Sequence, residues 1–182
     1  MTLPPSQLDS SHLDCLYTAA EIQQRVHELA RQIDADYQAY AGNVVLVGLL
    51  RGAIMLLADL SRALHTPHTL DVMLVASYGD QQTSSGQVRI LKDLDASITG
   101  RHVLIIDDII DTGTTLQQVL NLLAKRQPAS LQVCTLLDKP SRRQVKVEVR
   151  YVGFEIEDVF VVGYGMDDAQ RDRHLPYIGV KR

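Results

Sequence analysis

The chain has 182 residues, enough for one domain with its own hydrophobic core. Its 46% hydrophobic and 22% charged content excludes the disordered and fibrous classes. A net charge of −4 offers no global electrostatic basis for binding nucleic acid or an anionic membrane, and no apolar run is long enough for a membrane-spanning helix.

In chain order, the first dozen residues are polar, contain two prolines and are expected to be loosely ordered. They lack the charged segment followed by an apolar one that marks a secretory signal, which fits a cytoplasmic protein. Thr18-Ala19-Ala20-Glu21 is a capping box that should open a helix, with Ile22, Val26, Leu29 and Ile33 on its packed face. Val44–Leu50 reads as a buried strand. Gly52 onward reads as a second helix carrying Ile54, Leu57, Ala58 and Leu64. A strand is expected at 70–76. The polar stretch 79–86 lacks apolar periodicity and reads as a mobile loop, closed by a short strand at 88–91. A strand at 103–106, a helix at 114–126 and a strand at 131–137 complete a β-α-β-α-β series. Further strands are expected at 145–152 and 159–162. This alternation implies an α/β fold: a parallel sheet with helices on both faces, in one domain spanning 1–182. Cys134 lies in an apolar run and reads as a small buried hydrophobe. The two cysteines give no disulfide framework, and the six histidines show no ligand spacing.

The most informative stretch is Val103-Leu104-Ile105-Ile106-Asp107-Asp108-Ile109-Ile110-Asp111-Thr112-Gly113-Thr114-Thr115. An apolar strand runs into two carboxylates, then into Asp-Thr-Gly-Thr-Thr, then into the helical pattern Leu116, Val119, Leu120, Leu123. A strand–loop–helix junction of this kind aims backbone N–H groups and the positive helix end at one spot, which suits a phosphate. Carboxylates beside such a cradle would repel the ligand unless they serve hydroxyls or a divalent cation. The expected ligand is therefore a sugar phosphate with free hydroxyls, accompanied by magnesium. The plainer alternative is an α/β strand that happens to end in Asp before a Thr-capped helix. The string is neither a Walker loop, lacking Gly-Lys-Ser/Thr, nor a dinucleotide fingerprint, lacking Gly-x-Gly-x-x-Gly.

This string closely resembles the phosphoribosyl-diphosphate binding signature of the type I phosphoribosyltransferases. Other segments fall in the order seen in hypoxanthine (guanine) phosphoribosyltransferases: Leu49-Leu50-Arg51-Gly52, Ser77-Tyr78-Gly79, Leu137-Asp138-Lys139, Val152-Gly153-Phe154-Glu155-Ile156, and Phe160-Val161-Val162-Gly163-Tyr164-Gly165-Met166-Asp167. The ending Leu175-Pro176-Tyr177-Ile178-Gly179-Val180 is similar to the bacterial branch. The resemblance runs from about Leu13 to the C-terminus and implies a small hood, formed from the termini, over the sheet.

By the resemblance, Asp107 and Asp108 hold the ribose hydroxyls directly or through magnesium, and Asp111-Thr112-Gly113-Thr114-Thr115 cradles the 5-phosphate. Asp111 would also face the purine imidazole nitrogen and exchange its proton. An Asp at that position otherwise commonly complements a helix dipole. Arg51, Gly52, Ser77, Tyr78 and Arg173 would meet pyrophosphate, with Ser77-Tyr78 opening a loop that closes over the reaction. Relatives often carry Lys where Arg51 stands, and often a cis peptide at the pair written here Leu50-Arg51. Lys139 would donate to the purine 6-oxo group, Phe160 would stack on the base, and the Val161 backbone would read the base's edge. Asp167 would line the purine pocket and help hold magnesium on pyrophosphate. Without the resemblance, Arg51 and Lys139 read as surface charges and Phe160 as a core aromatic. The family usually has Glu where Asp107 stands, and often aromatics where Asp168 and Asp172 stand. The resemblance further implies phosphoribosyl diphosphate and a 6-oxopurine as substrates, and a homodimer or homotetramer.

Two rivals are weaker. A phosphoribosyl-diphosphate-sensing regulator of nucleic acid would need a basic face or an added domain. A phosphoacceptor receiver domain would carry its acidic pair near the N-terminus, whereas this pair lies past mid-chain.

Overall fold

The computed structural model describes residues 13–77 and 88–181. The elements are β1 (Leu13–Tyr17), α1 (Ala19–Tyr37), β2 (Val44–Leu50), α2 (Ile54–Ala63), β3 (His68–Ser77), β4 (Val88–Lys92), β5 (His102–Ile110), α3 (Thr114–Ala124), β6 (Ser130–Asp138), β7 (Tyr151–Glu155), β8 (Val161–Val162) and β9 (Ile178–Lys181). The expected loose N-terminal dozen and the loop at 79–86, with Tyr78, lie outside the described residues.

Six strands form the main sheet in the order β4-β3-β2-β5-β6-β7. All neighbours are parallel except the β3–β4 edge pair. The capping box closes as expected: the Glu21 N–H donates to Thr18 Oγ1 at 3.3 Å, and the Thr18 N–H donates to Glu21 Oε2 at 2.8 Å. Ile22, Val26, Leu29 and Ile33 then pack with α2 against Leu46, Leu104 and Ile106 on one sheet face. On the other face, Leu116, Val119 and Leu123 of α3 pack against Val45, Val47, Val103 and Ile105. Helices therefore cover both faces, as parallel strands require. The hood is a separate three-stranded antiparallel sheet, β1-β9-β8, built from both ends of the described chain. Cys134 is fully buried in the core, and burial pushes its thiol up to about 12. No helix among the described residues is long and apolar enough to cross a membrane.

Three expectations need correction. The strand expected at 103–106 continues to Ile110, so Asp107 and Asp108 sit inside β5 rather than beyond it. Its pairing to β6 holds through Ile110↔Asp138, whereas its pairing to β2 stops at Gly48↔Ile106. The strand expected at 145–152 begins only at Tyr151. Residues 145–150 do alternate in burial, but Val147 and Val149 pack on the α3 side of the core without joining a sheet ladder. In α2, Ile54 and Ala58 face out, and Leu56, Leu57 and Leu60 supply the packed side. The run Ile54-Met55-Leu56-Leu57-Ala58 is apolar all round, so its periodicity could not choose a face.

Candidate active site

The sheet's connectivity reverses between β2 and β5. From β2 the chain moves out to β3, and from β5 it moves the other way to β6. Crevices at the carboxyl ends of strands flanking such a reversal are where open α/β sheets bind ligands. Here β5 runs on past Ile106 with no ladder pairing to β2. Asp107 and Asp108 stand in that stretch. Side-chain alternation breaks phase across them: Leu104 and Ile106 share the α1–α2 side with Ile109, while Val103 and Ile105 share the α3 side with Ile110.

Both carboxylates keep some solvent exposure but sit deep among protein atoms. Burial, and then the charge of Asp108, push the Asp107 carboxyl well above the usual range. Burial also raises Asp108, against which the Arg173 charge works. The Asp108 N–H donates to Asp107 Oδ1 at 3.1 Å. An acidic pair destabilised in its charged form is suited to vicinal hydroxyls or a divalent cation. Among the described residues, no group of three or more His, Cys, Asp or Glu is placed to hold a metal ion. That is compatible with magnesium, which takes one or two carboxylates and fills its shell with substrate oxygens and water.

The Asp111–Thr115 loop follows the pair and leads into α3. Gly113 has φ +81, a left-handed conformation open to glycine, and it forms the N-cap of α3. A Cβ there would lie 2.7 Å from Val147 Cγ2 and 3.1 Å from Arg143 Cδ. The segment after β6 thus presses on the loop from behind. It also donates to Thr112 O from Gln144 N at 3.0 Å and from Val145 N at 3.3 Å. Thr112 Oγ1 accepts the Thr114 N–H at 3.3 Å. The first turn of α3 contains no acid, so the protein leaves its positive end uncompensated there.

Arg51 follows a cis Leu50–Arg51 peptide. A Cβ on Gly52 would overlap the Asp108 carboxylate, so only glycine lets that carboxylate lie against the β2–α2 turn. Arg51 Nη1 donates to Gln170 Oε1 at 2.8 Å, and Arg173 Nη2 reaches the same oxygen at 3.4 Å. Arg173 also donates to Gly165 O at 2.7 Å and pairs with Asp167 at 2.6 Å. Arg51, Arg173 and Asp167 are thereby brought together, joined by Gln170, which the sequence reading missed. Ser77 ends β3, at the same sheet end. Asp168 is ion-paired with Lys181, whose hydrogen bond holds its carboxyl below the usual range.

Lys139 follows β6 and is only 6% exposed. Its N–H donates to Ile110 O at 3.0 Å, and its Nζ donates to Val159 O at 2.7 Å with Asp158 at 3.8 Å. It is not a surface lysine. Nor is Phe160 a core aromatic: it is 54% exposed at the start of the hood, while its neighbour Val161 is buried in β8 opposite Val180. Asp111 pairs with Arg142, whose Nε donates to Oδ1 at 2.8 Å, and Arg142 Nη1 donates to Asp158 Oδ2 at 3.2 Å. Asp158 first and Asp111 second hold the Arg142 proton more firmly than usual. Arg143 donates to Asp111 O at 3.1 Å and also pairs with Asp138. Arg142, Arg143 and Asp158 also escaped the sequence reading. The run Lys139-Pro140-Ser141-Arg142-Arg143, charged and placed just after a strand, was the available signal.

The chain and its fold match known proteins. A family profile described as the phosphoribosyl transferase domain matches residues 12–169. The hypoxanthine phosphoribosyltransferase of Escherichia coli (strain K12) is 53% identical over 167 residues, 92% of this chain and 94% of that protein. The hypoxanthine-guanine phosphoribosyltransferase of Mycobacterium avium is 48% identical over 168 residues, 90% of this chain and 83% of that protein. A crystal structure of a hypoxanthine phosphoribosyltransferase from Staphylococcus aureus superimposes with a TM-score of 0.92 at 42% identity, covering 98% of this chain and 97% of that one. The chain therefore belongs to the phosphoribosyltransferase family, among its hypoxanthine and hypoxanthine-guanine members.

Proposed function

We propose that this chain salvages purines, transferring the phosphoribosyl group of phosphoribosyl diphosphate to hypoxanthine and to guanine. The products are the nucleoside monophosphate and pyrophosphate. The observation that carries this reading is one crevice holding a left-handed Gly113 loop at a helix start, an acidic pair destabilised by burial, and a buried lysine. Each of these matches a part of the substrates. The Asp111–Thr115 loop takes the 5-phosphate, Asp107 and Asp108 the ribose hydroxyls, and Arg51, Gly52, Ser77, Tyr78 and Arg173 the pyrophosphate. Lys139 donates to the 6-oxo oxygen, Phe160 covers the base, and Val161 and Asp167 complete the purine pocket.

The purine nitrogen forms a bond to C1 of the ribose as the C1–oxygen bond to pyrophosphate breaks. Asp111 accepts the proton from the imidazole ring. No covalent enzyme intermediate is required, so the rate comes from alignment and from charge placed to meet charge. Asp107, Asp108 and Asp167 are the carboxylates available to magnesium, which when bound offsets charge on the departing pyrophosphate. A cytoplasmic homodimer or homotetramer is the assembly this reading carries. Incubation with phosphoribosyl diphosphate, magnesium and each purine in turn should give nucleoside monophosphate with hypoxanthine and guanine. Absence of product with both would overturn the reading.

A further inference from the structure

We infer that Arg142 is a positioning residue for base recognition: its guanidinium ties Asp111 to Asp158 and, through Asp158, to Lys139. This rests on the roles proposed above for Asp111 and Lys139. The two groups that meet the imidazole and 6-oxo sides of one purine come from different elements. Asp111 stands in the loop between β5 and α3, and Lys139 at the end of β6. Lys139 N–H donates to Ile110 O at 3.0 Å, which ties the two segments together but does not orient their side chains against each other. The ionic string does. Arg142 Nε holds Asp111 Oδ1 at 2.8 Å, Arg142 Nη1 holds Asp158 Oδ2 at 3.2 Å, and Asp158 Oδ1 lies 3.8 Å from Lys139 Nζ. Its four charges sum to zero, so it adds no net charge to the pocket.

The geometry divides labour on Asp111. Arg142 takes Oδ1, and no described residue donates to Oδ2, so one oxygen is fixed and the other is free for the base. Arg142 is itself fixed, because it closes the one-turn helix Pro140–Arg142, with its N–H donating to Lys139 O at 3.1 Å. Pro140 presets the first φ of that turn. The planar guanidinium fork holds the two carboxylates in a fixed geometry, which a flexible lysine ammonium would not, so arginine suits the position. These pairs are partly exposed, so they contribute little to folding stability. Their effect should therefore appear in turnover rather than in melting.

The test is a double-mutant cycle between Arg142→Gln and Asp111→Asn, reading kcat and both KM values, with Arg142→Lys and Asp158→Asn alongside. Arg142→Gln should lower kcat/KM for hypoxanthine by about tenfold and leave the phosphoribosyl-diphosphate KM within about twofold, whereas in the Asp111→Asn background it should change kcat by less than about twofold, since coupled residues are not additive. Arg142→Lys should recover part of the loss, and Asp158→Asn should produce a smaller loss of the same kind. An equal loss in both backgrounds, or a loss concentrated in the phosphoribosyl-diphosphate KM, would overturn the inference and make Arg142 a support of the phosphate loop. If Arg142→Gln does not fold, the Lys and Asp158→Asn variants decide: native turnover with hypoxanthine in both overturns it. Near-native turnover of Asp111→Asn alone would instead remove the catalytic reading of Asp111, an outcome separable from additivity in the cycle.

Discussion

The two halves of the crevice are built by different means. The half proposed for phosphoribose is one continuous run, Asp107 to Thr115, strung from the end of β5 to the start of α3. Backbone pairing to β6 and the left-handed turn at Gly113 set its shape. The half proposed for the base is assembled from the end of β6, the turn at 140–142 and the residues at 158–161 that lead into the hood. Side-chain ties among Asp111, Arg142, Asp158 and Lys139 link it to the first half. A half shaped by backbone should fail when the chain path is altered. A half shaped by side-chain charges should fail in what it recognises, while the fold persists.

The largest effect expected from this contrast is substrate choice on the base side. Lys139 offers only donors. A 6-oxopurine presents it an acceptor, whereas adenine presents an amino group and leaves a nearly buried ammonium facing a donor. Sites built to hydrogen-bond one group reject such analogues by up to about ten-thousandfold. The ratio of kcat/KM for hypoxanthine over adenine should approach that figure. Lys139→Gln, whose amide can donate or accept, should erode it. Comparable efficiency with the two bases would sink the assignment of Lys139 and, with it, the division drawn between the halves.

Asp111 belongs to both halves, and its substitution sharpens the comparison next. Asp111→Asn keeps shape and removes the proton acceptor, so kcat should fall by about a hundredfold, the usual scale for a positioned base. Binding of phosphoribosyl diphosphate, followed by calorimetry, should change far less. A parallel loss of binding would mean that Asp111 serves the phosphate loop alone.

The same contrast explains what could be read from sequence. The contiguous half was legible, because one string carries its strand, its acids, its glycine and its helix start. The packed face of α1 was legible because Thr18 and Glu21 mark its beginning and Ile22, Val26, Leu29 and Ile33 recur at helical spacing. The end of β5 was not, because local polarity suggested a stop at Asp107 while β6 kept pairing to Ile110. Residues 145–150 alternate as a strand does, but their apolar side meets the core and the back of the Gly113 loop rather than a strand partner. Alternation reports one buried side and is silent about what covers it. Gln170 and Asp158 were illegible for a related reason. Each acts through partners distant in sequence, such as Arg51 for Gln170, and a single sequence carries no record of such pairs.

Gly113→Val tests the backbone-shaped half directly. A β-branched residue at φ +81, with Val147 Cγ2 2.7 Å from its Cβ, must strain or move the loop. Strain of this kind amounts to about 1–3 kcal/mol. If it is relieved by displacing the N–H groups that meet phosphate, affinity for phosphoribosyl diphosphate should weaken by roughly tenfold. Discrimination between hypoxanthine and adenine should survive, because Lys139 lies outside the loop. Unchanged affinity in a folded variant would show that the cradle lies elsewhere.

The smallest effect concerns stability, and here the acidic pair should oppose its own function. Burial and the Asp108 charge raise the Asp107 carboxyl above its usual range. The unfolded chain ionises that group near its ordinary value of about 4. Between those two values the folded state keeps the proton longer, so stability of the ligand-free protein falls as pH rises through the window and stays lower above it. Asp107→Asn removes the buried charge, and its Oδ1 can still accept the Asp108 N–H. At about pH 7.5, above the ordinary carboxylate range, the ligand-free variant should melt roughly 2–4 °C higher, the shift that about 1 kcal/mol produces in a chain of this size. Near pH 4 the gap should narrow, because both states of the unmodified protein then carry more of the proton. Adding phosphoribosyl diphosphate and magnesium should reverse the order, since a ligand stabilises the form that binds it better. A variant that melts lower at both pH values would mean that Asp107 is structural, and would remove the acidic pair from the ribose site.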